Sequence, residues 1–326
     1  MSENTDLILF PPEQISQQSI EIVEERSKSR DRGVYTGFTP MDNDMIPMFP
    51  GDLITVLGRP SNYKTGFMLY VAGKQAQEIM RLGLEDEVVV YITWEIAIEE
   101  AGIMDLCSRA GVDMSSIARG TITEESKNLL MTAAVDRMAV PMWMIGHSLL
   151  YRKKRPGLTL TDVGQALMRI EEEYNKKIRL IFLDYLQNIM PEQSDSDERR
   201  LQIARATNRC KDMALALGCP VILGCQARRE VDQREYKLPG MADGMDSSAI
   251  EHTSDKIISL WMPFVSHDNK IPGENYAVQE NTLVIGLTKQ RWGKSQRRYI
   301  AEVDFRNNEI NPAFRNYEQV RAIDYD

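Results

Sequence analysis

Most of this sequence alternates short apolar runs with segments of helical periodicity. The runs Val88–Val90 and Ile181–Leu183 are continuously apolar and lack a polar face, which is typical of strands buried on both sides. Between such runs, apolar residues recur at spacings of three and four, as in Val163, Leu167 and Ile170. This alternation predicts an α/β fold: a doubly wound, mostly parallel sheet with helices on both faces.

Eight segments have the length and composition of strands. The last of them follow one another through short turns instead of helices, so we expect the far edge of the sheet to be antiparallel. The predicted strands are 52–57, 88–93, 141–145, 179–183, 220–225, 256–261, 282–287 and 298–303.

The amino-terminal region is more polar. We expect a loose tail over residues 1–12 and a helix over 13–30 with a thin apolar stripe that includes Ile15 and Ile22. A stripe this thin does not stabilise an isolated helix. The helix should therefore dock, either on its own domain or on a neighbouring subunit. We accordingly divide the chain into a tail with a linker helix, 1–32, and one α/β domain, 33–326.

The composition argues against several classes of protein. No apolar run approaches the ~20 residues that cross a bilayer. Residues 1–10 contain acidic residues and no basic one, so we do not expect a signal peptide. The 4 cysteines contain no CxxC pair and the 3 histidines are scattered, so we expect reduced, buried thiols and no zinc cluster. The net charge of −9 disfavours a protein coated with nucleic acid but allows a basic channel. We expect a cytoplasmic protein, in the host cytoplasm if viral, without a membrane partner.

A strand, a tight loop and a helix start carry the clearest chemical signal. In this arrangement the main-chain N–H groups and the helix dipole bind phosphate. Lys64 would then lie between the terminal phosphates, and the Thr65 hydroxyl would bind Mg²⁺, so the motif predicts ATP and Mg²⁺. The residues concerned are Gly58, Arg59, Pro60, Ser61, Asn62, Tyr63, Lys64, Thr65 and Gly66.

Tyr63 departs from the phosphate-loop pattern, which has glycine at this position because the backbone passes close to the phosphates. Alone, the altered motif fits an ordinary strand–helix turn equally well. Tyr63 could stack on the nucleotide or on a neighbouring subunit, or it could indicate weakened hydrolysis. Whether this segment is a phosphate loop or an ordinary turn therefore depends on the other motifs of the sequence.

Polar residues end three further strands at the edge where open parallel sheets bind ligands. Glu95 follows the second strand and could polarise the attacking water, although an acid that opens a helix is equally common. Asp184 ends the fourth strand, where it would bind the water shell of Mg²⁺. Gln226 ends the fifth and could sense the γ-phosphate. Lys289 and Arg291 follow a late strand, either as a solvated basic turn or as an arginine finger for the neighbouring active site.

In this order the motifs resemble the C-terminal, RecA-like ATPase domain of DnaB-type replicative helicases, over about residues 33–305. The order of five motifs is more specific than any one of them. The resemblance implies nucleotide hydrolysis at subunit interfaces, with Lys64, Thr65, Glu95, Asp184 and Gln226 acting in one subunit and Lys289, as the piston lysine, and Arg291 acting from the next. The matching segments are 36–42, 50–54, 58–61, 184–187, 225–231, 248–255 and 289–291.

The family architecture implies loops at the centre of a ring that follow the phosphates of single-stranded DNA, with candidates at 191–200 and 228–248. Two departures from the family are visible. We expect no separate N-terminal collar domain, since the 326 residues leave no room for it, and Met-Asp-Ser-Ser at 245–248 lacks the family's arginine, which backbone N–H groups could replace. The candidate DNA-binding residues are Arg199, Arg200, Arg228, Arg229, Arg234, Lys237, Asp246, Ser247 and Ser248.

Three hypotheses follow. The first is an ATP-dependent DNA helicase or translocase in replication, a homo-oligomer and by resemblance a hexamer moving 5′ to 3′, with a primase or helicase loader as a further partner. The second is a RecA-fold regulator or loader that assembles with ATP but unwinds little, which Tyr63 and the missing collar favour. The third is a nucleotide-binding subunit that no longer hydrolyses ATP, against which Glu95 and Asp184 argue.

Overall fold

The computed structural model describes residues 11–27, 33–150, 157–192, 198–245 and 248–313. The strands in these ranges are β1 Leu53–Gly58, β2 Glu87–Thr93, β3 Met142–Gly146, β4 Lys177–Asp184, β5 Val221–Gln226, β6 Lys256–Trp261, β7 Thr282–Gln290, β8 Arg297–Asp304 and β9 Glu309–Pro312. The α-helices are α1 Pro12–Ser27, α2 Thr39–Asp42, α3 Lys64–Leu82, α4 Ile98–Ala110, α5 Met114–Ala118, α6 Glu124–Arg137, α7 Leu160–Tyr174, α8 Arg199–Leu217 and α9 Ala249–Thr253.

The described strands form one nine-stranded sheet in the order β3-β2-β4-β5-β1-β6-β7-β8-β9. Strands β1 to β6 pair in parallel, and β6 to β9 pair antiparallel. The predicted fold class is therefore confirmed, including the antiparallel far edge. All eight predicted strands are present, whereas the four-residue β9 was not predicted because its sequence, Glu-Ile-Asn-Pro, carries no strand signal.

Strand β7 is three residues longer than its apolar run predicts. Lys289 and Gln290 continue the pairing with β6 beyond a register shift at Thr288, and the polar residues Thr288 and Gln290 are buried. The Thr288 hydroxyl shares a 2.7 Å hydrogen bond with the Ser259 hydroxyl of β6. Such a cross-strand pair satisfies both hydroxyls, which allows polar residues inside the sheet.

Helices cover both faces of the sheet, as the periodicity predicted. On one face α3 buries Phe67, Met68 and Val71 against β1 and its neighbours. On the other face α7 and α8 pack, and Val163 and Leu167 are fully buried there. The 4 cysteines, which were predicted to be buried, are all buried and free.

The loop predicted over 191–200 ends earlier than expected. Arg199 and Arg200 belong to the first turn of α8, after Glu198 in extended conformation at the helix start. Arginine is a good helix former, so the amphipathic repeat of α8 extends back to these residues. The predicted loop placement of both arginines is therefore wrong, and residues 193–197 lie outside the described ranges.

Helix α1 begins and ends close to the prediction, and residues 28–32 lie outside the described ranges. None of its residues is buried, and the apolar side chains Ile15, Ile22 and Val23 are largely exposed. Arg26 stacks on the ring of Phe49 at 4.2 Å, which is a contact of the helix end with the α/β domain. The apolar stripe of α1 thus remains half exposed or more.

Candidate nucleotide-binding site

The predicted phosphate loop connects the carboxyl end of β1 to the amino end of α3. Ser61 and Tyr63 have left-handed backbone conformations, with φ of 61° and 64°. The Asn62 side chain fixes the turn, because its amide donates to the Pro60 carbonyl at 3.0 Å and accepts from the main-chain N–H of Met262 at 2.7 Å. The loop is therefore anchored to the end of β6.

Tyr63 is held by contacts within its own chain. Its hydroxyl donates to the side-chain oxygen of Asn308, and its ring meets Phe305 edge to face at 5.8 Å between centroids. The ring also lies over Gly66, where an added Cβ would come within 2.5 Å of it. These contacts maintain a left-handed conformation that costs a non-glycine residue ~1–2 kcal/mol.

Thr65 and Asp184 meet beside the loop. The Thr65 hydroxyl donates to Asp184 Oδ2 at 2.8 Å, and the Tyr91 hydroxyl donates to the same oxygen at 2.7 Å. Asp184 Oδ1 is buried and has no hydrogen-bond partner among the described residues. A buried carboxylate oxygen without a partner is costly, so these residues fit a hard cation. Tyr91 was not predicted, although a tyrosine within an apolar strand is a usable signal for a buried hydroxyl.

The charged groups of this site influence one another. Burial lowers the pKa of Lys64, and the carboxylates of Asp184 and Glu95 partly oppose this shift. Burial also raises the pKa of Glu95, with a further increase from Asp184 and a decrease from Lys64. The pKa of Asp184 is raised by burial, against hydrogen bonds from Tyr91 and Thr65. Titratable groups with shifted pKa values at a strand edge are typical of functional sites.

A cleft of about 620 Å³ joins these residues to the ends of the neighbouring strands. Glu95 and Gln226 line it. The main-chain N–H of Gln226 donates to Gln187 Oε1 at 3.0 Å, and Gln187 Nε2 contacts Cys225 Sγ at 3.3 Å. Gln187 therefore connects the segment that follows β4 to the end of β5, a role that sequence reasoning did not assign.

Lys289 and Arg291 lie at the edge of the sheet formed by the amino ends of the parallel strands. The phosphate loop lies at the opposite edge, formed by their carboxyl ends. Lys289 pairs with Ile257 near the start of β6, so the six residues of β1, at about 3.3 Å each, lie between this edge and the phosphate loop. Lys289 Nζ donates to the carbonyls of Glu251 and Ser254, at 2.5 and 2.7 Å. The structure does not bring these two basic residues to the phosphate loop of their own chain.

Asp255 holds Arg291 at this edge. The carboxylate accepts from Arg291 Nε at 3.2 Å, from Lys211 Nζ at 2.6 Å and from the main-chain N–H of Leu53 at 2.8 Å. Asp255 is only 4% exposed, whereas the side chain of Arg291 is 52% exposed. A buried carboxylate thus orients an arginine that remains accessible from outside the chain.

The predicted basic DNA-binding residues fall into two groups. Arg234 forms a bidentate pair with Asp243 at 2.6 and 2.7 Å, and Lys237 pairs with Asp268 at 2.7 Å. These pairs reduce the net positive charge that the two side chains offer, which sequence reasoning did not expect.

The other basic candidates are more accessible. Arg228 is exposed and donates to the Gly244 carbonyl at 3.1 Å, and Arg199 donates to the Gln187 carbonyl. Arg200 and Arg229 are exposed and form no ion pair within the described chain. Ser248 precedes α9, and the remaining candidates, Asp246 and Ser247, lie outside the described ranges.

Comparison with known proteins identifies the family. The model of the DnaB-like helicase C terminal domain matches residues 33–308. The replicative DNA helicase DnaC of Bacillus subtilis (strain 168) is 29% identical over 261 residues, which cover 80% of this chain and 52% of that protein. The replicative DNA helicase DnaB of Haemophilus influenzae is 32% identical over 261 residues, 80% of this chain and 51% of that protein. The chain spans about half the length of these relatives.

Solved structures agree on the fold. The ATPase domain of G40P superposes with a TM-score of 0.75 at 21% identity, covering 92% of this chain and 99% of that one. A DnaB-like replicative helicase, described with its interactions with primase, superposes with a TM-score of 0.72 at 21% identity, covering 90% and 66%. In the described ranges no helix is both long and apolar enough to cross a membrane. The RecA-like fold and the match over 33–308 show that this chain belongs to the DnaB-like helicase C-terminal domain family.

Proposed function

We propose that this chain hydrolyses ATP at the interfaces of a homo-oligomeric ring, a hexamer by family resemblance, and uses the energy as a helicase or translocase on single-stranded DNA in replication. The observation that carries the proposal is the group formed by Thr65, Tyr91 and Asp184 beside Lys64. It joins a phosphate loop to a buried carboxylate with one unsatisfied oxygen. This is the donor set that a nucleotide with Mg²⁺ requires.

Each residue has a role in this proposal. Thr65 and Asp184 would hold Mg²⁺, which neutralises phosphate charge when bound. Lys64 donates to the Arg59 carbonyl at 2.9 Å and would exchange this neutral acceptor for a phosphate oxygen. Glu95, which lines the same cleft, would accept a proton from the attacking water. Gln226 would donate its amide to the terminal phosphate.

The neighbouring subunit would complete the site. Arg291 is half exposed at the edge of the sheet opposite its own phosphate loop, and Asp255 orients it. In a head-to-tail ring, two different surfaces of successive subunits face each other, so this edge can meet the phosphate-loop edge of the next subunit. Lys289 and Arg291 of one subunit would therefore stabilise charge in the cleft of the next.

Two exposed apolar stripes support assembly. On α6, Met131, Val135 and Met138 lie on one side of the helix and are 70%, 65% and 83% exposed. On α1, Ile15 and Ile22 are each 48% exposed. Exposed apolar stripes of this kind mark interaction sites. We propose that α1 of the linker region, residues 1–32, docks on α6 of the adjacent ATPase domain, residues 33–326.

Replacing Val135 with glutamate should weaken assembly without unfolding the chain. A charge buried in an apolar contact has no partner, so we expect the association constant to fall by about tenfold or more. Sedimentation velocity with ATP and Mg²⁺ measures the change. Thr132→Glu, which adds the same charge on the flank of α6, is the matched control. Unchanged assembly of the Val135 variant would argue against this interface.

Single-stranded DNA would contact the segments after β4 and β5. Arg200, Arg228 and Arg229 are exposed basic residues there, and Arg199 donates to the Gln187 carbonyl in the segment after β4. Contacts to phosphates position a strand without reading its sequence. Binding should therefore weaken steeply with salt, as counterions compete.

The test of this function is ATP turnover by the purified chain, with and without single-stranded DNA, together with strand displacement from a forked duplex. We expect turnover that DNA stimulates and displacement that requires ATP. Turnover without displacement would favour a RecA-fold loader instead, and the absence of any turnover would favour a nucleotide-binding subunit. A primase or helicase loader would act as the further partner, in the cytoplasm of a cell or of a viral host.

The rate of turnover should fall at acidic pH because Glu95 acts only as a carboxylate. Burial raises the pKa of Glu95, so protonation begins at a higher pH than for an exposed glutamate. We expect log turnover to fall by about one unit per pH unit below that pKa. A pH profile of ATP hydrolysis measures the acid limb, which should disappear in Glu95→Gln together with most activity. Glu280→Gln, in the same cleft, should retain the limb.

A further inference from the structure

The Arg59 side chain turns from the phosphate loop towards the segment that follows β5. Its Nε donates to both carboxylate oxygens of Asp232, at 3.0 and 2.9 Å, and its Nη2 lies 2.8 Å from Asp232 Oδ2. Its Nη1 donates to the Ala227 carbonyl at 3.0 Å. Arg59 of the phosphate loop thus binds the segment after β5 at two residues, Ala227 and Asp232.

Asp232 belongs to the short 3-10 helix Arg229–Gln233. The exposed Arg229 begins this helix, and Arg228 directly precedes it, so both candidate DNA contacts are on the element that Arg59 holds. The attachment continues through the main chain, because the Ala227 N–H donates to the Gly58 carbonyl at 3.1 Å. A shift of Arg59 would therefore be passed to these arginines through direct contacts.

The other end of this connection reaches Lys64. Its ammonium donates to the main-chain carbonyl of Arg59 at 2.9 Å. A phosphate is a charged acceptor and competes with a neutral carbonyl for this ammonium. Binding of a triphosphate would release the Arg59 carbonyl, and the side chain of the same residue is anchored to Asp232.

We infer that Arg59 and Asp232 form a clamp that couples the phosphate loop to the DNA-binding segment, with Asp232 as a positioning residue. The inference rests on the proposed function and names the contact by which nucleotide changes the affinity for single-stranded DNA. Coupling of this kind is reciprocal, so DNA changes the affinity for nucleotide by the same factor.

A purely structural role for the ion pair makes a different prediction. The side chain of Asp232 is 49% exposed and that of Arg59 15%, and an ion pair with one half-exposed partner adds modestly to folding stability. Loss of the Asp232 charge should then leave both ligand affinities unchanged. The exposure also means that Asp232→Asn should fold normally, which circular dichroism and a thermal transition can verify.

The experiment measures the binding of a fluorescein-labelled oligothymidylate to the full chain by anisotropy, with and without a non-hydrolysable ATP analogue and Mg²⁺. The wild-type chain should bind DNA with an affinity that depends on the analogue. In Asp232→Asn this dependence should decrease by about fivefold or more, within the usual range of coupling between sites. A fluorescent nucleotide analogue should bind this variant normally when DNA is absent.

Two variants serve as matched controls. Glu230→Gln removes an exposed carboxylate of the same 3-10 helix that does not contact Arg59, and it should retain the full coupling. Asp232→Glu preserves the charge and should restore most of it. A wild-type chain that does not bind the oligonucleotide would refute the proposed function. Wild-type coupling that persists in Asp232→Asn would refute the clamp alone.

Discussion

Replacing Arg291 with alanine should reduce ATP turnover by about 10³-fold, the lower range for loss of an arginine finger. The fold of the variant should persist because the side chain is half exposed and lies on a turn after β7. Steady-state hydrolysis with DNA present measures the loss. Lys294→Ala, which removes a positive charge from the same turn, should leave turnover close to normal. Normal turnover in the Arg291 variant would remove the proposed role in the adjacent site.

Mixing two inactive variants tests whether Arg291 acts between subunits. A ring formed from equal amounts of Arg291→Ala and Lys64→Ala has about one interface in four with an intact Lys64 facing an intact Arg291, because each side is intact in half of the subunits. Single-turnover hydrolysis should therefore recover to about a quarter of the wild-type amplitude. If Arg291 acted only within its own chain, no mixture would recover activity.

Lys64→Ala should reduce ATP turnover by about 10²–10³-fold, since a preorganised donor to developing charge is lost from a buried site. Burial lowers the pKa of Lys64, whereas Asp184 and Glu95 favour its charged form. Removing this ammonium leaves the two carboxylates without a neighbouring positive charge. Because a nucleotide is an anion, its binding should also weaken. Isothermal titration with an ATP analogue and a turnover assay separate the two effects.

The control for Lys64 is a lysine on the same helix. Lys74 lies in α3 and pairs with Glu309 at 2.8 Å, away from the cleft. Lys74→Ala should retain turnover, because its ammonium is not directed at the phosphate loop. Wild-type turnover in Lys64→Ala would contradict the assignment of this loop as the site of hydrolysis.

Several features were predictable from local sequence because they depend on short-range pattern. The periodicity of Val163 and Leu167 indicated the buried face of α7, and the apolar run ending at Asp184 indicated a buried strand with a functional end. The carboxyl ends of parallel strands meet at one edge, so Glu95, Asp184 and Lys64 were expected to lie close together, and the structure brings them there. The order of motifs then indicated the family, which the match over 33–308 confirms.

Contacts between residues distant in sequence were decided only by the tertiary structure. The conformation of Tyr63 depends on Phe305 and Asn308, which lie on the β8–β9 turn more than 200 positions later, as the separation of 245 residues from Asn308 shows. Nothing in the local pattern of the phosphate loop indicates these partners. A glycine position was therefore occupied by tyrosine without loss of the loop.

The partners of the charged residues were likewise decided by contacts between residues distant in sequence. Arg59 was predicted in the phosphate loop, and Arg234 and Lys237 were predicted to bind DNA, but the fold pairs each with a carboxylate of its own chain. It also places Arg291 at the edge opposite the phosphate loop. Amphipathic pattern sets which elements form and which faces are buried, because burial acts on each residue's own polarity. The pairing of charges and the distance between sites depend on how those elements pack, which the tertiary structure alone determines.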